Sequence, residues 1–266
     1  MNIGILSKRT TNLAGKIKQF YENKGFNVTI YTLENLAINE TLFKNDFYIL
    51  KSKNLFFLYA GFFLEANNIP VIPNPQITFK QKNRIQSHFF LEKAGLLTPR
   101  FYLGTSDTLK NQLDSKTFPL ILKPVMSSGS RGVKVINSIK ELKSEENKIL
   151  YLEDFIRGIH YNVYFIDNSI CTLVKPPLSN EHVDMEEVET SKDIMELIKK
   201  WRLYLAENNL FGHLDIVRDE LSKELYVVDP GSFPEFTQWK GGGSPVEKIC
   251  NLILTRFEEM KTNLNN

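Results

Sequence analysis

The run Phe118-Pro119-Leu120-Ile121-Leu122-Lys123-Pro124, with Ser127-Ser128-Gly129-Ser130-Arg131-Gly132-Val133 close behind it, decides how the rest of the chain is read. An apolar strand ending in lysine delivers a fixed positive charge to one spot, within reach of phosphate oxygens. The small residues that follow let several backbone N–H groups approach a polyphosphate closely. Taken alone, the stretch is equally an ordinary β-hairpin with a flexible turn and a surface lysine. Its surroundings have to choose.

Downstream, strands are expected over Phe118–Val125, Val133–Asn137, Ile149–Ile156 and Tyr161–Ile166, an α+β arrangement of antiparallel hairpins. Phe211–Val217 and Leu225–Asp229 then place Asp215 and Asp229 in apolar strands, where a charge is costly unless paired. Two carboxylates aimed at one place make a hard-cation site, and magnesium completed by nucleotide phosphates is the natural occupant. The alternative is that each acid ends its strand at the surface, with Asp219 and Pro230 in turns. Tyr151–Arg157 runs from a strand into a connector that could offer backbone groups to an adenine edge. Ser191–Asn208 reads as a helix with Ile194, Leu197, Ile198, Trp201 and Leu205 on one face. Ser244-Pro245-Val246-Glu247 opens the last helix with a capping box. His213, beside Asp215, is expected to be structural, and Trp239 to be a packed loop aromatic.

Upstream, the pattern is different. Strands over Asn2–Leu6, Phe26–Thr32, Asp46–Leu50 and Pro70–Ile72 alternate with helices that begin near Thr10–Asn12 and at Leu55. Such alternation means a parallel sheet flanked by helices, with function at the carboxyl ends of its strands. Lys8 and Arg9 follow the first strand and Lys51 and Lys53 the third, so all four fall on that edge. Lys82–Gly95 reads as one amphipathic helix joining two lobes.

The bulk composition excludes several classes. Across 266 residues, 33 basic and 31 acidic side chains nearly cancel, against a dedicated nucleic-acid binder. Cys171 and Cys250 are too few for a disulfide framework or a four-cysteine zinc site, and are expected as buried thiols. The longest apolar run, Leu55 to Leu64, is far short of the ~20 residues a membrane helix needs. A cytoplasmic protein with no membrane partner is the expectation.

Read in order, these pieces resemble the ATP-grasp superfamily from about Asn74 to Ile253. Asn83-Arg84-Ile85-Gln86-Ser87 through Arg100 resembles the family helix whose basic residue contacts ATP phosphate, which implies that role for Arg84. Phe118–Lys123 is similar to the strand carrying the phosphate lysine, and Ser127–Gly132, with Ser128, Gly129, Ser130 and Gly132, to the glycine-rich lid. Glu153-Asp154-Phe155-Ile156 resembles the adenine hinge, and Asp215 and Asp229 match two magnesium positions. The resemblance implies ATP and Mg2+ as cofactors, with Lys123, Asp215 and Asp229 catalytic. It also implies three lobes: residues 1–75 on the substrate side, 76–156 as linker helix and lid, and 157–266 carrying the metal site.

Two subfamilies are similar. One comprises the glutamate ligases that modify ribosomal proteins and amino-acid carriers. The other is the inositol tris/tetrakisphosphate kinase group, which Leu210–Asp219, Tyr226–Pro234 and Leu173–Leu178 resemble. The resemblance implies a small anionic acceptor, inositol phosphate or amino-acid carboxylate, with Lys8, Arg9, Lys51, Lys53 and Lys175 as its basic rim. Phe233-Pro234 after Asp229 and the segment around Lys175 favour the kinase. Carboxylate–amine ligation and non-catalytic nucleotide binding are the alternatives. Gly231 stands where both groups place asparagine, and Asn162 where the kinases place lysine.

Overall fold

The computed structural model describes residues 1–126, 132–143, 148–176, 185–206 and 210–264 of the chain. Its first part is β1 (Asn2–Leu6), α1 (Asn12–Glu22), β2 (Asn27–Tyr31), β3 (Phe47–Leu50), α2 (Leu55–Ala66) and β4 (Val71–Ile72). The four strands form a parallel sheet in the order β2-β1-β3-β4. Ile3, Ile5, Phe47 and Ile49 pack against α1, while Leu6, Tyr48 and Leu50 pack against α2. Both faces are therefore covered, which is why these strands read as continuous apolar runs. Thr11 caps α1 by accepting from the Ala14 amide at 3.2 Å.

The expected helix over Lys82–Gly95 is α4 (Arg84–Lys93), and a separate helix that the sequence reading did not foresee, α3 (Pro75–Lys82), runs up to it. Asn83 separates them. Its extended backbone ends α3, and its side chain accepts from the Ile85 and Gln86 amides, both at 3.1 Å, to start α4. An asparagine at this place ends one helix and caps the next. The Arg84 amide donates to Val125 O at 3.0 Å, which ties the new start to the strand carrying Lys123.

That strand is β6 (Leu120–Lys123), within a second sheet that also holds β5 (Phe101–Thr105), β7 (Lys134–Ile136) and β8 (Ile149–Asp154), in the order β5-β8-β6-β7 and antiparallel throughout. α5 (Ser106–Gln112) packs on one face, where Leu109, Leu120, Leu150 and Leu152 form a small core. By the period of two, Lys123, Tyr151 and Glu153 fall on the opposite face.

The third sheet is antiparallel in the order β11-β10-β9-β12-β13, built from β9 (Gly158–Ile166), β10 (Ser169–Lys175), β11 (Glu186–Val188), β12 (Phe211–Asp219) and β13 (Leu225–Gly231). α6 (Lys192–Leu205) lays Ile194, Leu197, Ile198, Trp201 and Leu205 onto Val163, Phe165, Leu214, Ile216 and Val227. That burial commits one face to the core and turns Asn162, Asp215 and Asp229, which lie directly opposite one another, to the other. α7 (Pro245–Leu264) returns across the first sheet, with Ile249, Cys250 and Ile253 fully buried there. Among the described residues no helix is long and apolar enough to cross a membrane.

Candidate functional site

The polar faces of the two antiparallel sheets look at each other across a cleft lined by Arg84, Lys123, Glu153, Lys175, Asp215 and Asp229. Its charges are already paired. Lys123 and Glu153, 8 % and 6 % exposed, form an ion pair across adjacent strands. Arg84 pairs with Asp229, and Lys175 Nζ lies 2.8 Å from Asp215 Oδ2. Asn162 Nδ2 donates to Asp215 Oδ1 at 3.0 Å. Sequence distance disappears here: Arg84 and Asp229 are 145 residues apart.

A β-bulge joins the two sheets. Asp215 opposes Asp229, but the next pair is Ile216 with Val227, so Val228 is the extra residue. Bulges re-aim backbone groups beside functional sites. Here the Val228 carbonyl accepts from Lys123 Nζ at 3.0 Å, so the strand-ending lysine is bound to both sheets at once.

The field of the cleft follows from these pairings. Burial disfavours the charge on Asp229, but Arg84, Lys53 and Lys123 outweigh it and hold its pKa below the ordinary carboxylate value. Burial likewise works against the Arg84 cation, and Asp229 and Glu153 outweigh it, so its pKa is raised. Lys53 goes the other way: burial, with Arg84, Lys51 and Lys82 as like charges, lowers its pKa against the pull of Asp229. Four buried polar atoms in this region, Arg84 Nε, His160 Nε2, Asn162 Oδ1 and His213 Nδ1, have no partner among the described residues. Buried polar atoms are normally satisfied, so such a concentration marks a place built to receive something.

His213 and Gly231 share a space. They lie opposite each other on β12 and β13, and a Cβ at position 231 would fall inside the imidazole ring. Burial pushes the His213 pKa down to about 4, which keeps the ring neutral.

The structure therefore brings together Arg84, Lys123, Glu153, Asp154, Phe155, Lys175, Asp215 and Asp229, all on the cleft wall. Glu153, in the segment whose backbone is expected at an adenine edge, gives its side chain to Lys123. Asp154 turns to Arg100 and Tyr102, both at 3.2 Å. Ser128, Gly129 and Ser130 lie outside the described residues. Gly132 is at φ 77°, a conformation that favours glycine, with a Cβ there blocked by Pro124. Lys8 and Arg9 are exposed on the loop after β1. Lys51 is 7 % exposed and is not on the cleft wall; it donates to Glu235 Oε1 at 2.7 Å and to Phe233 O at 3.3 Å. It straps the segment after β13 onto the first sheet. The counter-ion role of Glu153 and the Lys51–Glu235 pair escape the sequence reading. The first has a signal in hindsight, because Tyr151 and Glu153 alternate with the core leucines of β8; the second pair, 184 residues apart, has none.

A family model described as the ATP-grasp domain matches residues 81–228, a span that runs from the break between α3 and α4 to the bulge at Val228. The chain belongs to the ATP-grasp family. This ATP-grasp chain is similar, at 34% identity over 82 residues, to a formate-dependent phosphoribosylglycinamide formyltransferase of Prochlorococcus marinus, covering 30% of this chain and 21% of the relative. A carbamoyl-phosphate synthase of Methanobrevibacter smithii is 23% identical over 211 residues, 71% of this chain and 57% of its own length. The chain thus spans a fifth to just over half of these curated relatives.

The fold matches far more completely. A RimK-domain ATP-grasp protein from Sphaerobacter thermophilus superposes with a TM-score of 0.79 at 12% identity, over 95% of this chain and 99% of the other. A D-alanine–D-alanine ligase from Bacillus anthracis, in complex with ATP, gives 0.73 at 17% identity, over 99% of each chain. The ATP-grasp ligase PsnB, in complex with a precursor peptide and AMPPNP, gives 0.68 at 13% identity, over 96% and 97%.

The residues present fit a magnesium nucleotide. Among the described residues no group of three or more histidine, cysteine or acidic side chains forms a complete metal cage. Asp215 and Asp229 alone suit magnesium, which takes one or two carboxylates and leaves its other positions to phosphates and water. Arg84 Nε, buried and unpartnered among the described residues, is a donor such an anion would satisfy.

Proposed function

We propose that the chain is an ATP-dependent carboxylate–amine ligase that activates a small carboxylate by phosphorylation. One observation carries the reading: Arg84, Lys123, Asp215 and Asp229, drawn from three separate stretches of sequence, line one cleft between two antiparallel sheets of an ATP-grasp fold. The ligases among the similar structures support it. Magnesium on Asp215 and Asp229 would neutralise charge on the triphosphate when bound. Arg84 and Lys123 hold the transferred phosphoryl group and the β-phosphate in line. The acceptor carboxylate oxygen forms a bond to the terminal phosphorus as the bond to the ADP oxygen breaks. An amine then attacks the acyl carbon, phosphate leaves, and the amine proton passes to solvent.

In this reading the protein is divided into a substrate-side lobe, a lid lobe and a metal-site lobe, near residues 75 and 156. A second reading, phosphoryl transfer to a hydroxyl of an inositol phosphate, draws on Lys8, Arg9 and Lys53. It is the weaker, because the similar solved structures that support a reading are ligases.

The test is turnover of magnesium ATP by the full chain over a panel of amino-acid carboxylates and inositol phosphates, with hydroxylamine present. The expected result is acceptor-dependent ADP release with a trapped hydroxamate. A phosphate ester inert to hydroxylamine would transfer the assignment to the kinase. Nucleotide binding with no turnover on any acceptor would overturn both.

A further inference from the structure

A second cavity lies behind the cleft, at the junction of β4, α3, β12 and α7, and shares no wall residue with it. Its volume is about 180 Å³, above the ~150 Å³ of an apolar cavity that takes up benzene. Apolar side chains dominate the wall, among them Ile77, Phe211 and Met260.

Two of its polar groups stand out. Gln81 and Ser232 are each 4 % exposed, and Gln81 Oε1 and Ser232 Oγ have no hydrogen-bond partner among the described residues. Leaving a buried donor or acceptor unmade costs about 1–3 kcal/mol, so a fold that keeps two in one apolar cavity has a reason outside its own packing. The wall also carries one cation and one acid. Arg256 gives Nη1 to Glu259 at 3.1 Å and keeps its positive charge on the wall. Glu65 accepts from Asn74 and is half-buried, and burial raises its pKa.

An apolar interior with a cation and a hydroxyl among its polar groups, and an acid and an amide oxygen beside them, is the complement of a zwitterion with an apolar body. We propose that this cavity is a binding site for an apolar α-amino acid, with its carboxylate on Arg256 and Ser232 and its ammonium on Gln81 and Glu65. The site is separate from the catalytic cleft and does not depend on the reaction proposed there. Gln81 lies three residues before Arg84 and Ser232 three residues after Asp229, so the two sites draw on adjoining stretches of chain.

Calorimetric titration of the full chain with L-leucine and L-phenylalanine tests this. Leucinamide, which lacks the carboxylate, and isocaproate, which lacks the ammonium, serve as controls. Saturable binding of at least one amino acid is expected, about ten-fold or more weaker for both controls, as the loss of a charged hydrogen bond implies. Ser232→Leu fills the cavity and should abolish binding while leaving magnesium-ATP binding intact; Arg256→Met, which adds no bulk, should weaken it about ten-fold and keeps the test alive if the first variant does not fold. Absence of binding by both amino acids overturns the proposal. So does equal binding to wild type and variants, which would place the amino acid in the cleft, and so does equal affinity for leucine and its two truncated analogues.

Discussion

The cleft that holds Asp215 and Asp229 and the cavity that holds Gln81 and Ser232 both bury polar atoms without partners among the described residues, but only the cleft buries ion pairs beside them. In the cleft Arg84, Lys123 and Lys175 each already have a carboxylate partner. In the cavity, neutral groups are buried without partners among the described residues. Charges cannot be held in a dry interior unpaired, whereas a hydroxyl or amide oxygen can be, at modest cost. A site for a highly charged ligand therefore has to be assembled from internal ion pairs that the ligand loosens. A site for a net-neutral ligand can simply wait.

The largest effect that would break this contrast is removal of Lys123. Lys123→Met leaves Glu153 buried without its counter-ion and should lower stability by about 3–5 kcal/mol, with ATP turnover lost. Adding Glu153→Leu should restore the denaturation midpoint and leave turnover absent. A Lys123→Met protein as stable as wild type would show that the pair does not hold the cleft together.

A smaller effect belongs to His213, at the border of the charged region. Its pKa is about 4 in the folded protein against an ordinary 6.5, so between those values the unfolded chain binds the extra proton. Stability is then full above pH 6.5 and falls as the pH drops toward 4, by up to about 3 kcal/mol. Asp229, held below its ordinary value, stabilises the fold above that value and adds its loss only at more acid pH. Unfolding midpoints measured across this range should flatten in His213→Asn; an unchanged slope would assign the acid sensitivity elsewhere.

The smallest effect sharpens the contrast at the edge of the first sheet. Lys51→Met frees Glu235, which is partly exposed and can turn to water, so about 1 kcal/mol of stability should be lost. The Michaelis constant for the acceptor should move less than about two-fold if the lysine is a strap. A large rise in that constant alone would make it a substrate ligand after all.

Much of this was legible in the sequence, for local reasons. The first sheet announces itself through β1 and β3, apolar on both faces, and Asp215 and Asp229 are conspicuous because each interrupts an apolar strand. The helix α3 over Pro75–Lys82 was not, because Asn74-Pro75 reads equally as a turn after β4, and the hydrogen bond from the Arg84 amide to the Val125 carbonyl, which fixes where α4 starts, is a tertiary contact. The side-chain partner of Glu153 was not legible, because sequence cannot say which cation a strand acid will meet. The partner of Lys51 was not either, because Glu235 lies far along the chain. Pairing across long separations is set by topology, and local pattern carries no trace of it.

The imidazole of His213 lies in the volume that a side chain at position 231 would need. Those two positions are consequently inherited together: a relative with this backbone that carries asparagine at 231 must carry something small at 213, and from the present pair the change at 213 has to come first. In a library randomised at both sites, large residues should be recovered at one or the other and never together.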